Sequence, residues 1–180
     1  MPMPEEQKRI KLRSLLSELA DPSQLKIYCD MDGVLCDFAR AFAEISDDEK
    51  NPVAYMRKHG YAEFWKVVNS GGESFWSDMK WKPDGKALWS YIKKRRPTIL
   101  SAPSSKPESS SGKKKWLTKN VGNMHTILTK AVNKQKYAGP DAILIDDYKK
   151  NIDQWEAAGG IAIWHKTAAK TISELKKLGL

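Results

Sequence analysis

Four short β-prone runs limit what this chain can fold into: Leu25–Cys29, Pro97–Leu100, Ala142–Ile145 and Ile161–Trp164. Helical spacing lies between them, most clearly over residues 37–45 after the first run. Short apolar strands separated by helices argue for an α/β architecture, a parallel sheet covered on both faces. In such sheets ligands gather at the carboxyl ends of the strands. Three of the four runs end in polar residues there: Asp30-Met31-Asp32-Gly33, Ser101-Ala102-Pro103 and Asp146-Asp147.

Residues 46–90 separate the first two runs and hold Tyr55, Tyr61, Phe64, Trp65, Phe75, Trp76, Trp81 and Trp89, the content of a small helical insertion able to cover the strand ends. The expected organisation is therefore an amphipathic N-terminal helix within residues 1–22, a core from 23–45 and 91–180, and a cap over 46–90. Ser101 to Gly112, rich in Ser and Pro, reads as a loop.

With 180 residues, one domain is the default. No apolar run approaches the roughly 20 residues of a membrane span, and Met-Pro-Met-Pro-Glu-Glu lacks the order of a secretory signal, so a cytoplasmic chain is expected. Cys29 and Cys36 flank the acidic motif without zinc or redox spacing, and His59, His125 and His165 form no ligand-spaced cluster. The net charge of +9 favours phosphate-bearing partners, from nucleotides to nucleic acid.

Two carboxylates two residues apart, with Gly33 allowing a tight turn, can converge on an oxygen-seeking cation, and Asp146 or Asp147 can supply a third corner. Magnesium suits such a set. A carboxylate held against phosphorus can form an acyl phosphate, which assigns the nucleophile to Asp30. Asp32 can act as acid and base, Ser101 can hydrogen-bond a phosphoryl oxygen, and Lys134 or Lys136 can offset transition-state charge. Among the aromatics, Phe38, Phe64, Trp65, Phe75 and Trp76 are candidates to stack on a base, although aromatics at helical spacing more often form a core.

The stretch Asp30-Met31-Asp32-Gly33-Val34-Leu35-Cys36-Asp37-Phe38, the Ser101 strand end and Ile143-Leu144-Ile145-Asp146-Asp147 together resemble the signature motifs of the haloacid dehalogenase-like phosphohydrolases. Within them the pattern is most similar to the 5'(3')-deoxyribonucleotidase family and related bacterial and phage phosphatases. The resemblance implies a Rossmann-like core with a small cap, one magnesium ion, an aspartyl-phosphate intermediate and nucleoside monophosphate substrates. It makes Asp30 nucleophile and metal ligand, and Asp32 general acid and base with its carbonyl facing the metal. It gives Ser101 the phosphate, and Asp146 and Asp147 the metal.

Lys113 matches a lysine near the phosphate, and either Lys134 or Lys136 can be aligned with the remaining motif lysine, Lys134 being preferred. Ala102 replaces a frequent second hydroxyl, and Tyr148 replaces an arginine after the Asp pair. The alternatives are a phosphatase acting on nucleic-acid 3' or 5' ends, or a non-catalytic basic protein that binds nucleic acid.

Overall fold

The structure is a computed structural model that describes Gln7 and residues 21–180; the amphipathic helix expected over residues 8–20 lies outside them. Five strands, β1 Lys26–Cys29, β2 Thr98–Ser101, β3 Thr126–Leu128, β4 Ala142–Asp146 and β5 Ile161–Trp164, form one parallel sheet in the order β3-β2-β1-β4-β5. The α-helices of the described residues are α1 Phe38–Ile45, α2 Pro52–His59, α3 Tyr61–Ser70, α4 Gly72–Ser77, α5 Gly85–Ile92, α6 Pro107–Asn120, α7 Lys149–Ala157 and α8 Ala168–Lys177. None is long and apolar enough to cross a membrane.

Strand side chains alternate between faces, and that alternation sorts the core. Ile27, Cys29, Ile99, Ile143, Ile145, Ile161 and Ile163 pack with Trp116 and Leu117 of α6 and Ala168 and Leu175 of α8. Leu100, Ala142, Leu144 and Ala162 form a second cluster with Ile152 and Trp155 of α7. Both faces are thus buried, which is why β4 is buried at every position and reads in the sequence as an unbroken apolar run.

Two features differ from the sequence reading. The edge strand β3 was not anticipated, because its three residues are only half-buried and leave no apolar run to detect. The Ser-rich stretch expected to be a loop becomes helical at Pro107, which occupies the first turn of α6. Small residues suit that helix because it lies against α4: a Cβ on Gly112 would come within 2.5 Å of the Glu73 carbonyl oxygen and 2.6 Å of Trp76 Cβ.

Helices α2 to α4 stand between β1 and β2 in the chain. Their aromatics pack mainly on one another and on α1: Phe42 stacks on Phe64 with ring centroids 5.2 Å apart, and Phe75 meets Trp76 edge-on at 4.9 Å. They are also fastened to α6, since Glu73 accepts from Lys115 and Ser111, and Trp116 Nε1 donates to the Met79 carbonyl at 2.7 Å. Helix α5 instead packs on α8, where the Ala168 amide donates to Asp84 at 2.6 Å.

Candidate active site

The register of the central strands brings the acidic residues together. Cys29 of β1 pairs with Ile145 of β4, and the Asp30 amide donates to the Ile145 carbonyl at 2.9 Å, so the ladder runs one residue beyond β1. Asp30 and Asp146 therefore leave adjacent strands side by side. The chain then turns through Gly33 at φ 71°, where the amide of Gly33 donates to the Cys36 carbonyl at 2.9 Å. A Cβ on Gly33 would collide with the Asp147 carboxylate, so the absence of a side chain there is what lets Asp147 close over the loop. Gly33→Ala is expected to displace Asp147 and to weaken magnesium binding, measured by isothermal titration, well before it unfolds the protein.

Asp30 is buried and held at both carboxylate oxygens. The Met31 amide donates to Oδ1 at 2.7 Å, and Lys134 Nζ lies 3.0 Å from Oδ2. The same ammonium group lies 2.7 Å from Asp146, which also accepts from the Tyr148 amide at 2.8 Å and from Asn151 Nδ2 at 2.9 Å. Burial opposes the charge on Lys134, but Asp30 and Asp146 outweigh it and raise its pKa. Lys134 is cationic throughout the physiological range.

A second buried lysine serves the next strand. Lys113 of α6 is fully buried, ion-pairs with Asp32 and donates to Ser101 Oγ at 3.3 Å. Its ammonium also lies 4.7 Å from the centroid of the Trp76 ring, a desolvated cation–π contact of a kind worth about 2 kcal/mol. Trp76 is thus the wall behind Lys113. Its expected stacking role is corrected, and so are those of Phe64 and Phe75, because all three are buried in the aromatic cluster. Phe38 and Trp65 are half-buried.

Lys136 is corrected as well: it is exposed, whereas Lys134 enters the acidic cluster. The residue that sequence reading missed is Asn151. Its only signal is an amide in the first turn of the helix that follows Asp146-Asp147, on the turn that faces back toward them.

Asp30, Asp146 and Asp147 offer carboxylate oxygens within 4.8 Å of one another. With Asp32 included, four carboxylates face the two ammonium groups of Lys113 and Lys134, so full ionisation leaves a surplus of two negative charges, the charge of one divalent cation. An all-oxygen, carboxylate-rich set suits magnesium and offers nothing to a thiolate-seeking metal. Cys29 and Cys36, nearby, are buried thiols whose pKa burial raises well above normal. The residues fit the ion that the motif resemblance implies.

Crowding of these acids shows in their proton affinity. Burial and then repulsion from Asp30 push the Asp146 carboxyl up to about 6, against the pull of Lys134. Asp147 keeps exposed surface, yet the partial desolvation of its carboxyl among its neighbours, then repulsion from Asp30, Asp146 and Asp32, push it up to about 7. The unfolded chain releases these protons near 3.8, so between that pH and 7 the metal-free folded state holds more protons than the unfolded one. Stability of the metal-free protein is therefore expected to fall as pH rises from 4 to 7. Magnesium should reverse the trend, both changes being read as shifts in melting temperature.

No protein-family model matches the sequence, and no curated protein matches it. Solved structures do. A HAD-superfamily hydrolase from Ehrlichia chaffeensis superposes with a TM-score of 0.53 at 10% identity, covering 86% of this chain and 97% of that one. A hydrolase from Streptococcus pneumoniae TIGR4 gives 0.53 at 13% identity, covering 84% and 97%. This is the fold of HAD-superfamily hydrolases. On that HAD-like fold the acidic cluster and both buried lysines lie at the carboxyl edge of the sheet, where the strand ends β1, β2 and β4 meet.

Proposed function

We propose that the protein is a magnesium-dependent phosphomonoesterase that acts on nucleotide phosphates through an aspartyl-phosphate on Asp30, with helices α2 to α4 as its cap. The observation that carries this reading is the pairing of each candidate catalytic carboxylate with its own buried lysine, Asp30 with Lys134 and Asp32 with Lys113. Two buried cations at a strand edge, one of them also on a buried serine hydroxyl, form a receptor for a dianionic phosphoryl group.

Asp30, Asp146 and Asp147 would hold the ion, with the Asp32 carbonyl facing it. When bound it neutralises phosphoryl oxygens and makes phosphorus more electrophilic. Lys113 and the Ser101 hydroxyl bind the phosphoryl oxygens and orient the ester. Lys134, fixed between Asp30 and Asp146, holds the nucleophilic carboxylate in place.

A carboxylate oxygen of Asp30 attacks phosphorus, the bond to the ester oxygen breaks, and the departing oxygen takes a proton from the Asp32 carboxyl group. Water then attacks the phosphoryl group, gives its proton to the Asp32 carboxylate, and the acyl phosphate bond breaks to restore Asp30 and free phosphate. In the structure Asp32 is paired with Lys113. Transfer of Lys113 to an incoming phosphate frees Asp32 to carry the proton.

Nucleoside monophosphates are the smallest substrates of this class, and of the five candidate stacking aromatics only Phe38 of α1 and Trp65 of the cap are left half-buried rather than buried. A panel of phosphate monoesters assayed with and without magnesium tests the reading. Phosphate release that disappears on chelation and is greatest for nucleotides supports it; release from none of them overturns it.

A further inference from the structure

An aromatic and cationic surface adjoins the acidic cluster on the side away from the cap. Trp164 ends β5 directly beside Asp146 of β4, about 4.8 Å away across the ladder. Its indole Nε1 donates to the Asp147 carbonyl at 2.9 Å, which fixes the ring at the rim of the site. Yet the residue is 43% exposed, and neighbouring Tyr148 is 58% exposed. Lys166 Nζ lies 3.4 Å from the centroid of the Trp164 ring and Lys149 Nζ 5.7 Å from it. A groove of about 410 Å³ continues past Trp164 along Lys170 and Ser173 of α8.

Trp164 and Tyr148 are both exposed beside Asp146 and Asp147, and two ammonium groups lie at the Trp164 indole, so base-stacking and phosphate-binding groups adjoin the acidic cluster. Of the two lysines at the ring, Lys149 is paired with Asp153. Lys166 has its contact with the indole face. The cap helices and the loop after β2, joined where Ser104 Oγ donates to Asn69 at 2.9 Å, lie over the opposite half of the sheet. The Trp164 surface therefore stands at the β4–β5 edge of the acidic cluster, apart from the cap.

We propose that Trp164, Tyr148, Lys166 and Lys149 form a binding platform for single-stranded nucleic acid, and that the substrate is a terminal phosphate of such a strand. The inference rests on the phosphomonoesterase reading for the terminal phosphate. Bases stack on the two exposed rings, which accept any base because every base has a π-face, while phosphodiester oxygens draw the Lys166 ammonium off the indole. A mononucleotide brings one base and no phosphodiester to this surface, whereas a strand brings several bases to the rings and phosphodiesters to the lysines.

Binding of a fluorescently labelled oligothymidylate with hydroxyl ends, followed by anisotropy in magnesium buffer, tests the platform without any phosphate to release. Trp164→Ala is expected to weaken binding about tenfold. Lys166→Gln is expected to flatten the dependence of log affinity on log salt by about 0.7, the share of one phosphate contact on a single strand. If Trp164→Ala fails to fold, Tyr148→Ala and Lys166→Gln, both at exposed positions, carry the test.

Phosphate release from a small aryl phosphate is measured in parallel. Release that persists while oligonucleotide binding ignores every variant overturns the platform and leaves the catalytic reading. Binding that responds to the variants in a protein that hydrolyses no monoester overturns the catalytic reading and leaves the platform. A higher kcat/KM for an end-phosphorylated oligonucleotide than for thymidine monophosphate, reversed by Trp164→Ala, supports both.

Discussion

Asp30→Asn is expected to reduce phosphate release by at least about 10⁴-fold, the scale seen when a covalent nucleophile is removed, while leaving the circular dichroism spectrum unchanged. An amide has the shape of a carboxylate but is no nucleophile toward phosphorus. Its conformational cost is small and can be located. Asp30 accepts from the Met31 amide with one oxygen and meets Lys134 with the other, and asparagine satisfies only one of these donors. Against that loss, removing one charge relieves the repulsion that raises Asp146 and Asp147. The two effects oppose each other, so the melting temperature should move by only a few degrees. Turnover at the wild-type rate in this variant would remove Asp30 as nucleophile whatever the fold.

The sheet was legible in the sequence because burial on both faces leaves a simple mark: runs such as Ala142–Ile145 have no polar residue until the strand ends. The acids were legible for the complementary reason. A buried strand can afford Asp30 and Asp146 only where the ladder stops and ligands or lysines can meet them. What could not be read was orientation. Lys134 and Lys136 lie in a 3₁₀ segment, Ala131–Tyr137, with about three residues per turn, so positions two apart face different ways. Which of them enters the site is decided by how the segment is rotated against the sheet, and the sequence does not show that.

Inward and outward aromatics posed the same difficulty. Trp76 and Trp65 look alike in sequence, but contact with Gly112 and Lys113 of α6 buries the first, and nothing local to Trp76 announces a helix 36 residues later. Helix α6 itself was hidden by its composition. Its Ser, Gly and Lys residues suit close packing on α4 and an internal ion pair, features that imitate a loop when read without the partner.

Lys134→Met should be the most destabilising single change at the site. It leaves Asp30 and Asp146 buried side by side with no ammonium between them, a situation that typically costs about 3–5 kcal/mol. For a chain of this size that is a fall in melting temperature of about 10 °C. The loss should depend on conditions in two ways that a simple packing defect would not. Without Lys134 to hold it down, the Asp146 carboxyl binds its proton more tightly still, so the deficit should shrink as pH falls from 7 to 5. Magnesium should also recover part of it by supplying positive charge to the same carboxylates. Lys136→Met, on the exposed side of the segment, should change stability by no more than about 0.5 kcal/mol. Equal deficits for the two variants, or a Lys134→Met deficit indifferent to pH and magnesium, would mean that the ammonium of Lys134 does not organise the acidic cluster.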